Sequence, residues 1–143
     1  MIMNIFNFLV VAFMLYAPAN KADLKIKITG FKNNGGKCVI MLFKAEPGFP
    51  KEPKNAVQIF PMVIQNNACE LTIPNLDTGT WAVSVFHDAN ENGEVDTNFI
   101  GIPKEGIGVS KNVIPAMRPP RFDECKFQLA EPKMELQIQM KYI

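Results

Sequence analysis

Residues 86–110, FHDANENGEVDTNFIGIPKEGIGVS, hold the densest collection of oxygen-bearing side chains in the chain. Asp88, Asn90 and Asn92 alternate, Gly93 follows and Asp96 closes the series, giving D-x-N-x-N-G-x-x-D. Calcium is a hard cation that takes six to eight oxygens in flexible geometry, and such spacing brings side-chain oxygens to one side of a curling loop. Asp88, Asn90, Asn92 and Asp96 would give side-chain oxygen, and Glu94 a backbone carbonyl. An ordinary EF-hand is excluded, because Phe99 stands where the bidentate glutamate belongs. With Asp88 and Asp96 as the two sure carboxylate ligands and Glu105 as a third if the next loop folds back, affinity should be weak, about 10⁻⁴–10⁻³ M. Magnesium fits less well, since it keeps its waters. The same residues also tolerate left-handed backbone and bond their own main chain. A metal-free turn is therefore the leading expectation and a calcium-stabilised turn the second. No cofactor is required by either.

His87 is the single histidine. Alone it cannot build a multi-histidine metal centre. Paired with Asp88, Asp96 or Glu105 it could serve as the acid–base element of a hydrolase. Ser84 and Ser110 offer hydroxyls, but GVSKN lacks the closing glycine of a nucleophile elbow. A histidine bonded to loop backbone explains the same residue more simply. The expectation is a non-enzymatic protein, with the hydrolase kept as the alternative.

These residues need a frame, and the surrounding chain reads as strands. LKIKITG sets Leu24, Ile26 and Ile28 against Lys25, Lys27 and Thr29, the period of a half-buried strand. CVIMLFK is an unbroken apolar run suited to burial on both faces. AEPGFPKEPKN is a proline-rich surface connection, and Pro61 makes AVQIFPMVIQ an edge strand or two short pieces. CELTI, WAVSVFHD, CKFQL and MELQIQMKY continue the alternation. About seven short strands without helical partners predict an all-β antiparallel sandwich, in Greek-key order, as a single domain over 20–143. The stretch from Phe99 to Phe122 has no clean period yet is rich in apolar residues, so it is expected to be an ordered loop with a short strand around Val109.

Residues 1–19, MIMNIFNFLVVAFMLYAPA, carry no charge and have a continuous apolar run from Phe8 to Ala17. That run is short for a membrane span, and Ala17-Pro18-Ala19 supplies small residues for cleavage, so a signal peptide ending at Ala19 is expected. The protein would be exported, periplasmic or extracellular, and would not span the membrane after cleavage. Fifteen basic and fourteen acidic residues leave a net charge of +1, without the basic patch of a nucleic-acid binder. In an oxidising compartment, Cys38, Cys69 and Cys125 admit one bridge plus a free thiol, or three buried thiols; all three lie in strand-like runs.

The segments VSVFHDANENGEVDTNFIGIPKEGIGVS and RPPRFDECKF, with the final amphipathic strand, resemble the bacterial domain of unknown function 2141 family. Its His-Asp pair, acidic Asn/Gly loop, Gly-x-Pro-x-Glu-Gly and Pro-Pro-x-Phe segments fall on His87, Asp88, Asn90, Asn92, Asp96, Gly101, Pro103, Glu105, Gly106, Ser110, Pro120 and Phe122. Lys111 departs from the family's usual asparagine, and Ile107 and Val109 from its aromatics. The resemblance implies an exported β-sandwich of unassigned activity. The 86–110 loop is expected to be a binding or docking surface, with His87, Glu105, Ser110 and Phe122 as its residues beside the acidic curl. The partner would be a ligand, or another envelope component if the role is structural.

Overall fold

The computed structural model describes residues 20–130 and 132–143; the expected signal peptide lies outside the described residues. Among these residues eight strands form two sheets. β1 (Lys21–Thr29) lies between β4 (Ala68–Asp77) and β8 (Lys133–Gln139). The second sheet runs β3 (Gln58–Met62), β2 (Lys37–Phe43), β5 (Gly79–Asp88), β6 (Ile107–Val109), with β7 (Phe127–Leu129) sharing the β6 edge of β5. Consecutive strands β1–β2, β3–β4 and β4–β5 change sheets, as Greek-key sandwiches do.

Alternation places the core as the sequence predicts. Leu24, Ile26 and Ile28 from one sheet meet Ile40, Leu42, Val83 and Val85 from the other. Both central strands of the larger sheet are buried on their second face too, where Val39, Met41, Phe43, Ala82 and Phe86 form a separate cluster. Phe49 from the proline-rich connection and Phe122 pack onto it, their rings meeting edge to face with centroids 5.9 Å apart. Pro61 sits in β3 at the sheet edge, where a missing N–H costs no ladder bond.

Two features differ from the sequence-based expectation. The β1–β8 pairing is parallel, with Ile26 opposite Leu136 and Ile28 opposite Ile138. Parallel neighbours need a long crossover, and here nearly the whole domain supplies it. The eight strands among the described residues are about the number expected, β6 being the short strand expected around Val109. Cys125 ends a short helix, α1 (Phe122–Cys125), not a strand. The Glu124 carboxylate holds that helix by accepting the Arg121 N–H at 2.9 Å and a two-pronged Arg118 contact at 2.9 and 2.5 Å.

After β6 the chain turns through Lys111 and Asn112, both left-handed at φ 65° and 56°. Asn112 earns its conformation by bonding β8, accepting the Gln139 N–H at 2.8 Å and donating to the Gln137 carbonyl at 3.2 Å. Lys111 carries the left-handed penalty with an ordinary side chain. Lys111→Gly should therefore raise stability by ~0.5–1 kcal/mol, measured as the midpoint of urea denaturation.

Candidate functional site

The period of β5 decides what its last two residues can do together. Successive strand residues point to opposite faces, so His87 faces the inter-sheet side while Asp88 faces the outer side with Ser84 and Phe86. His87 is buried, with Nε2 2.6 Å from the Gly35 carbonyl and Nδ1 2.8 Å from the Tyr142 hydroxyl. A carbonyl can only accept, so Nε2 carries the proton and Nδ1 accepts the Tyr142 O–H in the neutral ring. The hydroxyl oxygen also receives the Lys32 N–H at 2.9 Å. Phe31 meets the imidazole edge to face at 5.5 Å. Both ring nitrogens are thus committed to partners other than Asp88, Asp96 and Glu105, and the acid–base pair read from the sequence is not assembled.

Asp88 organises the acidic curl from beneath. Its two oxygens accept the Asn92 N–H at 3.2 Å and the Gly93 N–H at 2.8 Å. Glu91 and Gly93 take left-handed backbone, at φ 55° and 75°, and the chain reverses there. Asp96 is the hub of the upper part. Asn90 and Asn92 direct their amides at its two oxygens, at 2.7 and 2.8 Å. Asn92 Oδ1 accepts the Glu94 N–H at 3.0 Å, so that residue is held by its main chain. Glu105 closes the curl from the next loop, accepting the Ala89 N–H at 2.6 Å and the Asp96 N–H at 3.4 Å. Among the described residues no three His, Cys, Asp or Glu side chains are grouped to hold a metal. Two carboxylates and two side-chain amides are what the curl brings together.

The two carboxyl groups are pushed apart electrostatically. The Asn92 and Asn90 amides hold Asp96 below the usual carboxylate range, whereas burial raises Glu105 and its hydrogen bond to Asp96 adds to that. A lowered carboxyl stabilises the fold above its ordinary value of about 3.9 and loses that contribution as pH falls through the folded value. A raised one stabilises below its ordinary value of about 4.3 and loses this as pH rises through the folded value. The opposed directions favour the curl in mild acid, where Glu105 takes up a proton before Asp96 does. Because protonated Glu105 resembles glutamine, the melting temperatures of wild type and Glu105→Gln should converge as pH falls from about 7 towards 4.

Ser110 and Phe122 turn out to be buried pins rather than surface contacts. Along the edge of β5, β6 covers Ser84–Phe86 and β7 covers Gly79–Trp81, leaving Val83 between them. Ser110 fills that gap. Its Oγ accepts the Val83 N–H at 3.0 Å and donates to the Cys125 carbonyl at 2.7 Å, and the residue is 0% exposed. Phe122 is locked in the outer-face cluster.

The surface feature that sequence reasoning missed is a cavity of about 330 Å³ against the outer face of the larger sheet. Ser84, Phe86 and Val109 form its floor, and Ile102, Ile114 and Met117 are among its walls. Exposed Lys51 adds a cationic end to a largely apolar lining, and Arg118 lines it with its guanidinium paired to Glu124. The loop over it is shaped by Asn98, whose Oδ1 accepts the Ile100 and Ile102 N–H groups at 3.0 Å each. This tie leaves Phe99 fully outward at 99% exposure, with Met117 at 94%. The apolar richness of the loop was the available signal; no motif named it. Asp96, Lys104 and Glu105 line a more open polar hollow that shares Pro103's loop.

The sequence pattern of a family described as "Uncharacterized protein conserved in bacteria (DUF2141)" matches residues 26–137, a span that includes the curl, the cavity loop and both buried pins. No curated protein and no solved structure matches the chain.

Proposed function

The chain belongs to that bacterial family, and we propose that it is an exported, non-enzymatic binding protein whose cavity takes a small apolar molecule with an anionic end. The cavity carries this reading. Its volume lies within the range of small-ligand sites, which are apolar with a few placed polar groups, and it is too small for a folded partner. Exposed Lys51 suits a negative terminus. Phe99, Ile100 and Met117 extend the apolar surface outward, where a ligand tail can continue. His87 with both nitrogens engaged supports a binding rather than a hydrolytic role. Export is supported by the uncharged apolar run ahead of Ala17-Pro18-Ala19. Titration with 1-anilinonaphthalene-8-sulfonate should give saturable, blue-shifted fluorescence that decanoate displaces, while near-ultraviolet circular dichroism shows intact packing. Unsaturable binding, or none at millimolar dye, would remove the reading; self-association through the Phe99 tip would favour a structural envelope role.

Calcium belongs to the same proposal as the brace of the loop. Half a turn of the Asn90 or Asn92 amide exchanges nitrogen for oxygen at the same place, so Asp96, Glu105 and two amide oxygens could gather around one ion. The convergence of both amides on Asp96 favours this. Several millimolar calcium should raise the melting temperature by a few degrees where magnesium does not, since a ligand selective for the native state stabilises by mass action. Asp96→Asn should abolish the shift. An unchanged melting temperature in wild type would leave the metal-free turn.

A further inference from the structure

The two sheets bring a pair of cysteines together that neither the sequence spacing nor the cavity uses. Cys38 opens β2, opposite His87, and Cys69 lies near the start of β4, opposite Ile28 at the end of β1. The short 30–36 connection joins β1 to β2, so these strand ends share one end of the sandwich. Cys38 and Cys69 belong to opposite sheets, yet both side chains point into the same inter-sheet core, 0% and 6% exposed. There each thiol is near enough to shift the other's titration, and all three cysteines are free thiols in the structure. Cys125 stands apart in the outer-face cluster, on the far side of the larger sheet.

We propose that Cys38 and Cys69 are joined by a disulfide across the sandwich in the mature protein, leaving Cys125 as the single thiol. The reaction removes two protons and two electrons from the two thiols and forms one S–S bond; a disulfide oxidant accepts them and is released as two thiols. One thiolate attacks the oxidant to give a mixed disulfide, and the second thiol displaces the remaining half of the oxidant from it. Both residues are buried in the finished core, so closure accompanies folding and the bond then ties the sheets.

The test is refolding of the full chain in oxidised and reduced glutathione, followed by thiol titration in denaturant and peptide mass mapping. One thiol per chain is expected, with a Cys38–Cys69 linked peptide two hydrogens lighter than its parts. Cys125→Ser should keep the link and titrate to zero thiols. Reduction should lower the melting temperature on the order of 10 °C. Three thiols after oxidation, or a link that contains Cys125, would overturn the assignment. These readings need no Cys69 variant to fold, and they do not depend on what occupies the cavity.

Discussion

Ala116→Trp is expected to weaken binding of the dye at least tenfold, about 1.4 kcal/mol, with the melting temperature almost unchanged. Ala116 lines the cavity from an exposed position on the 113–120 loop, so an indole there can enter the void without displacing a core side chain. Filling from the mouth separates occlusion from unfolding, which a substitution at Phe86 or Val109 would confound because both are fully buried. Ile102→Asp approaches the same wall differently. It puts a carboxylate beside an apolar ligand and opposes its anionic end, so it should weaken the dye further. If both variants bind as wild type does, the dye is held elsewhere. The dissociation constant from fluorescence titration decides this.

Ser110→Ala should be the most damaging single loss of an oxygen in the protein, costing roughly 2–4 kcal/mol in urea denaturation. The hydroxyl is the partner of the Val83 N–H and the Cys125 carbonyl, both in the enclosed region between β6 and β7. An unmet buried donor or acceptor costs about 1–3 kcal/mol, far above the net value of an ordinary hydrogen bond. Asn112→Ala removes two bonds to β8 that are closer to solvent, where water can replace them, and should cost about 1 kcal/mol. Equal losses for the two would mean that the β5 gap is wetter than the structure shows.

Strand identity was legible wherever one face had to be buried. Leu24, Ile26 and Ile28 alternate with lysines because the first sheet is solvated outside, and CVIMLFK does not alternate because loops cover β2 as well. The parallel β1–β8 pairing was not legible, since it joins segments almost a full domain apart and nothing local encodes the partner. The acidic curl was readable as a turn from its Asp, Asn and Gly residues. Its centre was not: Asp96, rather than the leading Asp88, gathers the amides. Period-two alternation already separates His87 from Asp88, and applying it would have removed their pairing at the outset. Ser110 and Phe122 stand in a motif-rich segment because the fold needs a gap filled and a face sealed, and a motif alone does not distinguish that from ligand contact. The cavity arises where an aperiodic loop crosses a sheet, so its walls come from positions that no sequence period connects.

Lys111 holds a φ of 65°, a conformation that asparagine tolerates better than lysine. The acidic curl and the apolar loop meet through Glu105, which bonds the main chain of the first while standing four residues from Gly101 in the second. Bracing the one should therefore steady the other.

Methyl-resolved NMR of the isoleucine and valine side chains during a decanoate titration tests the proposed binding site most directly. Shifts concentrated at Ile102, Val109 and Ile114, with Ile26 and Val83 of the inter-sheet core unmoved, are the predicted result. Shifts confined to the inter-sheet residues, or a loop whose methyls are motionally averaged with and without decanoate, would contradict a preformed apolar site on the outer face.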